Sequence, residues 1–183
     1  MIAAATALFT SRGWAATGMR DIAVEAGVAT ETIYKHFSSK AELFRQAADI
    51  AVVGDDAPIP VAERPGFAAM GTGTRTERIA DAVRVAVGIQ LRTVGFAKVL
   101  REAAPTDEMI AETLRATRER QRLDVEAGAT RVFGRPPTTA ERDGLWALLS
   151  PEVYLLLVEE SGWSVEQYEN WLTAMLEAVV PAA

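Results

Sequence analysis

Apolar residues recur every three or four positions along almost the whole chain, and that period predicts helices. Ile2, Ala5, Leu8 and Phe9 share one face of a first helix, from about Ile2 to Ser11, which stops near Gly13. A second covers Met19 to Ala26 and stops at Gly27, and a third covers Thr30 to Phe37. Ser39 and Glu42 have capping-box spacing, in which hydroxyl and carboxylate each take up a free amide at a helix start. The fourth helix runs from there through Leu43, Phe44, Ala47 and Ile50 to about Val53.

Residues 54–76, rich in glycine and proline, read as a connection with one short helical turn. Longer helices follow, from about Glu77 to Glu102 and from about Asp107 to Val132, ending before Pro105 and at Gly134. Thr138 with Glu141 is a second capping-box candidate. It opens a helix from about Ala140 that breaks at Ser150-Pro151 and resumes to Glu160. Ser164 with Gln167 caps a last helix ending near Val180. No β alternation of useful length and no internal repeat occurs, so the expected fold is all-α.

Composition narrows the picture. The chain has 183 residues, 49% hydrophobic and 24% charged, enough apolar surface for a packed core. It contains no cysteine and one histidine, which excludes disulfides, thiolate catalysis, cysteine-bound zinc and a histidine-rich metal site. No cofactor is implied. The opening "MIAAATALF" lacks the basic start of a signal peptide, and "LWALLSPEVYLLLV" is broken by Ser150, Pro151 and Glu152 before it could span a bilayer. The expectation is a cytoplasmic protein with no membrane partner. Net charge is −6, which argues against coating nucleic acid by bulk electrostatics. The charge is uneven, however: residues 1–46 carry five basic and four acidic side chains, and the remainder carries 14 and 21.

The single histidine, His36, lies in "GVATETIYKHFSSK" beside a tyrosine and two lysines. Just before it, Ala23 is small enough for two helices to approach closely, and Gly27 can take the positive φ that ends a helix at a sharp turn. Ile22, Val28 and Ile33 then point inward. This spacing is that of a helix-turn-helix. With Ile33 and Phe37 on the buried face, Thr30, Glu31, Thr32, Tyr34, Lys35 and His36 remain for the outer side.

"DIAVEAGVATETIYKHFSSKAELF", preceded by "AAATALFTSRGW", closely resembles the DNA-binding domain of the TetR family of bacterial transcriptional repressors, over residues 2–44. Beyond residue 50 the resemblance rests on the helical layout and on "LWALLSPEVYLLLVEESGWSVEQYENWL". It implies a three-helix helix-turn-helix domain over residues 1–46, then an α-helical ligand-binding and dimerisation domain over 47–183. It implies that Tyr34 and His36 hydrogen-bond the DNA backbone and that Lys40 meets a phosphate. Thr30, Glu31, Thr32 and Lys35 would face base edges, and Arg20 would lie near the backbone or a base. Each also has a plainer reading, as a packing, capping or solvated residue. The chain departs from the family pattern at Ala29, which cannot cap the recognition helix, and at Met19, where threonine is common. A basic segment usually precedes this point, so the natural protein is expected to begin upstream of Met1.

In the larger part, Gln90 interrupts the stripe Ile79, Val83, Ala86, Val87, Val94 and Ala97, and Thr117 and Gln121 interrupt Ile110, Leu114 and Val125. Either these polar groups bond within the core, or they mark a pocket for a small, mostly apolar effector, lined by Gln90, Leu91, Val94, Phe96, Met109, Thr117, Gln121 and Tyr154. The C-terminal helices are more apolar than a monomer surface needs, and Leu148, Leu155, Trp171, Leu172, Met175 and Val179 are the expected homodimer contacts. The function implied is a ligand-responsive repressor that binds a palindromic operator in double-stranded DNA as a homodimer. Two alternatives stand beside it: a helical dimer with lost or weak DNA binding that acts through protein contacts, and a small helical enzyme. The enzyme is disfavoured because the one histidine lies on the outer face of the motif and Glu159-Glu160 point in different directions.

Overall fold

A computed structural model describes residues 1–54 and 64–181. Every regular element among these residues is a helix, with no strand. The helices are α1 (Ile2–Arg12), α2 (Met19–Glu25), α3 (Thr30–His36), α4 (Lys40–Val53), α5 (Pro65–Ala69), α6 (Arg75–Ala103), α7 (Glu108–Phe133), α8 (Thr139–Leu148) and α9 (Pro151–Tyr154). A π-helical run, Leu155–Glu160, continues α9, and α10 (Val165–Val179) follows. The expected short turn in the connection is α5; residues 55–63 of that connection lie outside the described residues. No described helix is long and apolar enough to cross a membrane.

By packing, the chain divides into two compact units. One comprises Met1–Asp56 with Arg92–Thr117, the other Ala57–Leu91 with Arg118–Ala183. This division differs from a cut along the chain at residue 46. It adds α4, the second part of α6 and the first part of α7 to the N-terminal helices, because their apolar faces share one core. In that first unit Ala5, Phe9, Ile22, Ile33, Leu43, Phe44 and Ile110 are fully buried, with Phe96, Val99 and Leu100 beside them. Phe44 sets its ring edge-on to Phe9 at 5.1 Å and to Phe96 at 5.4 Å. Gly95 allows α1 and α6 to approach: a Cβ there would stand 2.7 Å from Thr10 Cγ2.

The second unit buries Ile79, Val83, Val87 and Gln90 of α6, Ala129 and Val132 of α7, Leu145, Tyr154, Leu155, Tyr168, Leu172 and Leu176. The buried line of α6 therefore shifts register between Gln90 and Phe96, which a single stripe through Val94 and Ala97 does not capture. Tyr154 meets Tyr168 edge-on at 5.1 Å, and burial pushes the Tyr168 phenol up to about 12.

Helix ends follow their capping chemistry. Thr138–Glu141 and Ser164–Gln167 form complete capping boxes. Ser39 caps α4 through its hydroxyl, but the Glu42 carboxylate reaches one residue further back, to the Ser38 N–H at 2.7 Å and the Ser38 hydroxyl at 2.5 Å. Ser38 offers two donors to one oxygen, which a backbone amide alone does not. Thr74 and Glu77 make a further reciprocal pair, and α6 accordingly begins at Arg75. Ser150 caps α9, with Pro151 at its first position, where a missing N–H costs nothing.

Candidate nucleic-acid interface

The helix-turn-helix is built by one turn. Gly27 has φ +66°, the left-handed region that an L side chain resists. Around it the Val28 N–H donates to the Ala23 carbonyl at 3.0 Å and the Gly27 N–H to the Val24 carbonyl at 3.1 Å. These are the two bonds of a Schellman motif, and they end α2 while aiming the chain into α3. Ile22 and Ala23 from α2, and Ile33 with Phe37, are buried.

What α3 buries decides what it shows. Glu31, Tyr34, Lys35 and His36 are exposed and Thr30 and Thr32 half-buried, while Tyr34 keeps 56% of its surface open. Arg20 is exposed on α2. Ala29 occupies the cap position of α3 with no side-chain cap, and Thr30 is the first helical residue. Met19 is buried in the core. Lys35 and His36 fall in the last turn of α3, where positive charge suits the free carbonyls.

Lys40 is held rather than free. Its ammonium donates to the Trp14 carbonyl at 2.9 Å and lies 3.9 Å from the centroid of the Trp14 ring. Partial burial lowers the ammonium pKa, against the pull of Asp107, which raises it. The Trp14 indole N–H donates to Asp107 Oδ2 at 2.7 Å. That bond, ahead of the Ile110 amide, holds the Asp107 carboxyl below its usual range. At the other end of α4, Arg92 donates to the Ala51 and Val52 carbonyls, each at 2.9 Å. Sequence reasoning did not single out Trp14, Asp107 or Arg92. Asp107 carried a visible signal, a carboxylate just before a helix, but its indole partner is 93 residues away in the chain.

The eight residues expected to line an effector pocket fall in both units. Gln90, Leu91, Gln121 and Tyr154 belong to the second, and Val94, Phe96, Met109 and Thr117 to the first. Gln90 is buried and donates to the Leu149 carbonyl at 2.6 Å, leaving its own carbonyl oxygen buried without a protein partner. Phe96 and Tyr154 are buried in aromatic clusters, whereas Leu91 and Met109 are half exposed. Of the expected dimer contacts, Leu155 and Leu172 are buried within the chain itself, Leu148, Trp171 and Met175 are partly open, and Val179 is 40% exposed.

With this geometry in view, the similarities to known proteins can be placed. The sequence model of the family described as bacterial regulatory proteins, tetR family, matches residues 1–47. The HTH-type transcriptional activator FasR of Mycolicibacterium smegmatis is 48% identical over 44 residues, a match covering 24% of this chain and 20% of FasR. The match thus spans about a fifth of that relative's length. Among solved structures, a transcriptional regulator from Rhodococcus sp. Rha1 superposes with a TM-score of 0.67 at 19% identity, covering 97% of this chain and 92% of that one. A Rhodococcus protein assigned to the TetR family of transcriptional regulators gives 0.70 at 16% identity, covering 98% and 96%. At such identities the likeness is one of fold. The all-α architecture of the chain is shared with these two proteins. Residues 1–47 thus carry a tetR-family regulatory domain, and the chain as a whole is similar to these regulators in fold. These similarities are to regulators rather than to enzymes, which weighs against the small helical enzyme considered from the sequence.

Proposed function

We propose that the protein is a DNA-binding transcriptional regulator that docks α3 in the major groove. The observation that carries this reading is the division of α3 into two faces. Ile33 and Phe37 are buried, and Tyr34, Lys35 and His36 stand open on the other side of a glycine-pinned turn. In this reading Tyr34, His36 and Lys40 hold phosphates, and Thr30, Glu31, Thr32 and Lys35 face base edges, with Arg20 near the backbone.

The protein acts as a homodimer. Leu148, Trp171, Met175 and Val179 remain partly or largely open after the chain has folded, and a second copy would cover them. Two-fold symmetry sets two recognition helices about 34 Å apart, on successive major grooves of a palindromic operator. A small, mostly apolar effector would shift the population between head spacings and so release the operator. The buried, unpaired carbonyl oxygen of Gln90 supports a polar anchor for such a molecule in the second unit. Repression is the default outcome of occupying an operator. FasR is an activator by name, but identity confined to the head speaks to DNA contact and not to the direction of control.

The test is selection of bound duplexes from a random DNA pool. A palindrome with half-sites one helical turn apart is expected, and its recovery should depend on Tyr34 and His36. Failure to enrich any duplex overturns the reading in favour of a helical dimer that works through protein contacts.

A further inference from the structure

Lys40 is an expected phosphate contact whose charged group is already hydrogen-bonded within the fold. Its ammonium has three N–H donors. One goes to the Trp14 carbonyl, and the ring of the same residue lies beneath it. Trp14 is itself fixed: it stacks on Phe9 at 5.7 Å with planes 18° apart and sets its edge to Phe44 at 5.7 Å. The remaining freedom of the indole is taken up by Asp107, through the 2.7 Å bond from its N–H.

Asp107 does two jobs with its two oxygens. Oδ2 receives the indole N–H, and Oδ1 accepts the amides of Met109 at 3.1 Å and Ile110 at 3.2 Å, which caps the first turn of α7. These bonds run without a gap from the first turn of α7 through the carboxylate and the indole to the seat of the ammonium. All of these residues lie in the first compact unit.

We infer that Trp14 and Asp107 are positioning residues for the DNA backbone. They set the Lys40 ammonium where a phosphate oxygen meets its free donors, and they tie that placement to the first turn of α7. The inference rests on the DNA-binding reading above. It adds that an event altering the start of α7 is felt at a phosphate contact near the start of α4, with no movement of α3 required. Neither residue touches DNA.

The experiment uses the full chain and the duplex recovered from the random pool. Trp14→Phe keeps the stack on Phe9 and the face beneath Lys40 but removes the indole N–H. Asp107→Asn keeps an α7 cap but removes the charge. Each is expected to weaken binding by about three- to tenfold and to flatten the salt dependence by up to about one ion equivalent. On a Lys40→Gln background neither should weaken binding further, because the group they position is gone. Equal loss on both backgrounds, or no loss on either, overturns the inference. A general structural role is recognised by equal loss together with a lowered unfolding temperature. Should the variants not fold, the native protein supplies a second readout: the Trp14 indole N–H resonance should shift when the duplex is added, and an unmoved resonance overturns the inference. If the wild type recovers no duplex at all, it is the DNA-binding reading that fails.

Discussion

At the scale of single residues, the account depends on backbone conformations and contacts that only certain side chains permit. Gly27→Ala is expected to cost about 1 kcal/mol in stability, because alanine resists φ +66° although nothing stands within 4 Å of its added carbon. Gly95→Ala is a different case. Its backbone is helical, but the new methyl would press on Thr10, so about 1–3 kcal/mol is expected as α1 and α6 separate. Equilibrium denaturation of both variants checks the pair, and Thr10→Ser should rescue the second and leave the first unchanged. Much of this scale was legible beforehand. "AGV" announced the turn, and the alternation around Ile33 and Phe37 announced the outward set. The ties of Lys40 to Trp14 and of Trp14 to Asp107 were not legible, since hydrogen bonds between distant segments leave no local pattern.

At the scale of elements, the charges at helix ends make predictions in pH. The Glu141 carboxyl is drawn down to about 2, first by Arg135 and then by the Thr138 amide it caps. A carboxyl depressed by folding stabilises the folded state above its ordinary 4.5, and that contribution is lost as pH falls toward 2. Glu141→Ala should therefore melt below the wild type at neutral pH, with the gap closing between those two values. Thermal scans across that range test it; a gap independent of pH would contradict the assignment. Arg92 matters in the same way for α4, whose last carbonyls it covers beside a left-handed Gly54. Arg92→Ala should fray that end at a cost of about 1 kcal/mol, visible as faster amide exchange over the last turn. Arg75 covers the Glu177, Val180 and Pro181 carbonyls at the end of α10 in like fashion. Thr138–Glu141 and Ser164–Gln167 were readable as capping boxes, whereas Ser39–Glu42 forms only the hydroxyl half and Thr74–Glu77, with the same spacing, was not singled out. The π-helical run was not: "LLLVEE" has no glycine or proline to mark it. It shows at its end, where the Ser161 N–H donates back five residues to the Leu156 carbonyl at 2.9 Å.

At the scale of the whole molecule, the proposed function asks an acidic chain to address DNA through a small part of its surface. Residues 1–46 are near neutral, with five basic and four acidic side chains, and the acidic excess lies further along the chain. The proposed two-fold assembly predicts a dimer by analytical ultracentrifugation. Trp171→Glu with Val179→Glu should shift it to monomer while leaving the helical content intact, because neither side chain is fully buried in the single chain. Leu172→Glu, by contrast, should unfold the second unit. The all-helical class was plain from periodicity alone. Which helices share a core was not, because α6 and α7 each contribute to both compact units and their buried lines change part-way along.

The most direct measurement is a binding titration on the duplex recovered by selection, comparing the wild type with Tyr34→Phe and His36→Ala. Each substitution is expected to weaken binding by about 1–2 kcal/mol, roughly tenfold, while unfolding temperatures stay within a degree or two because both side chains are exposed. Undiminished affinity in both variants would mean that the open face of α3 is not the one that meets DNA.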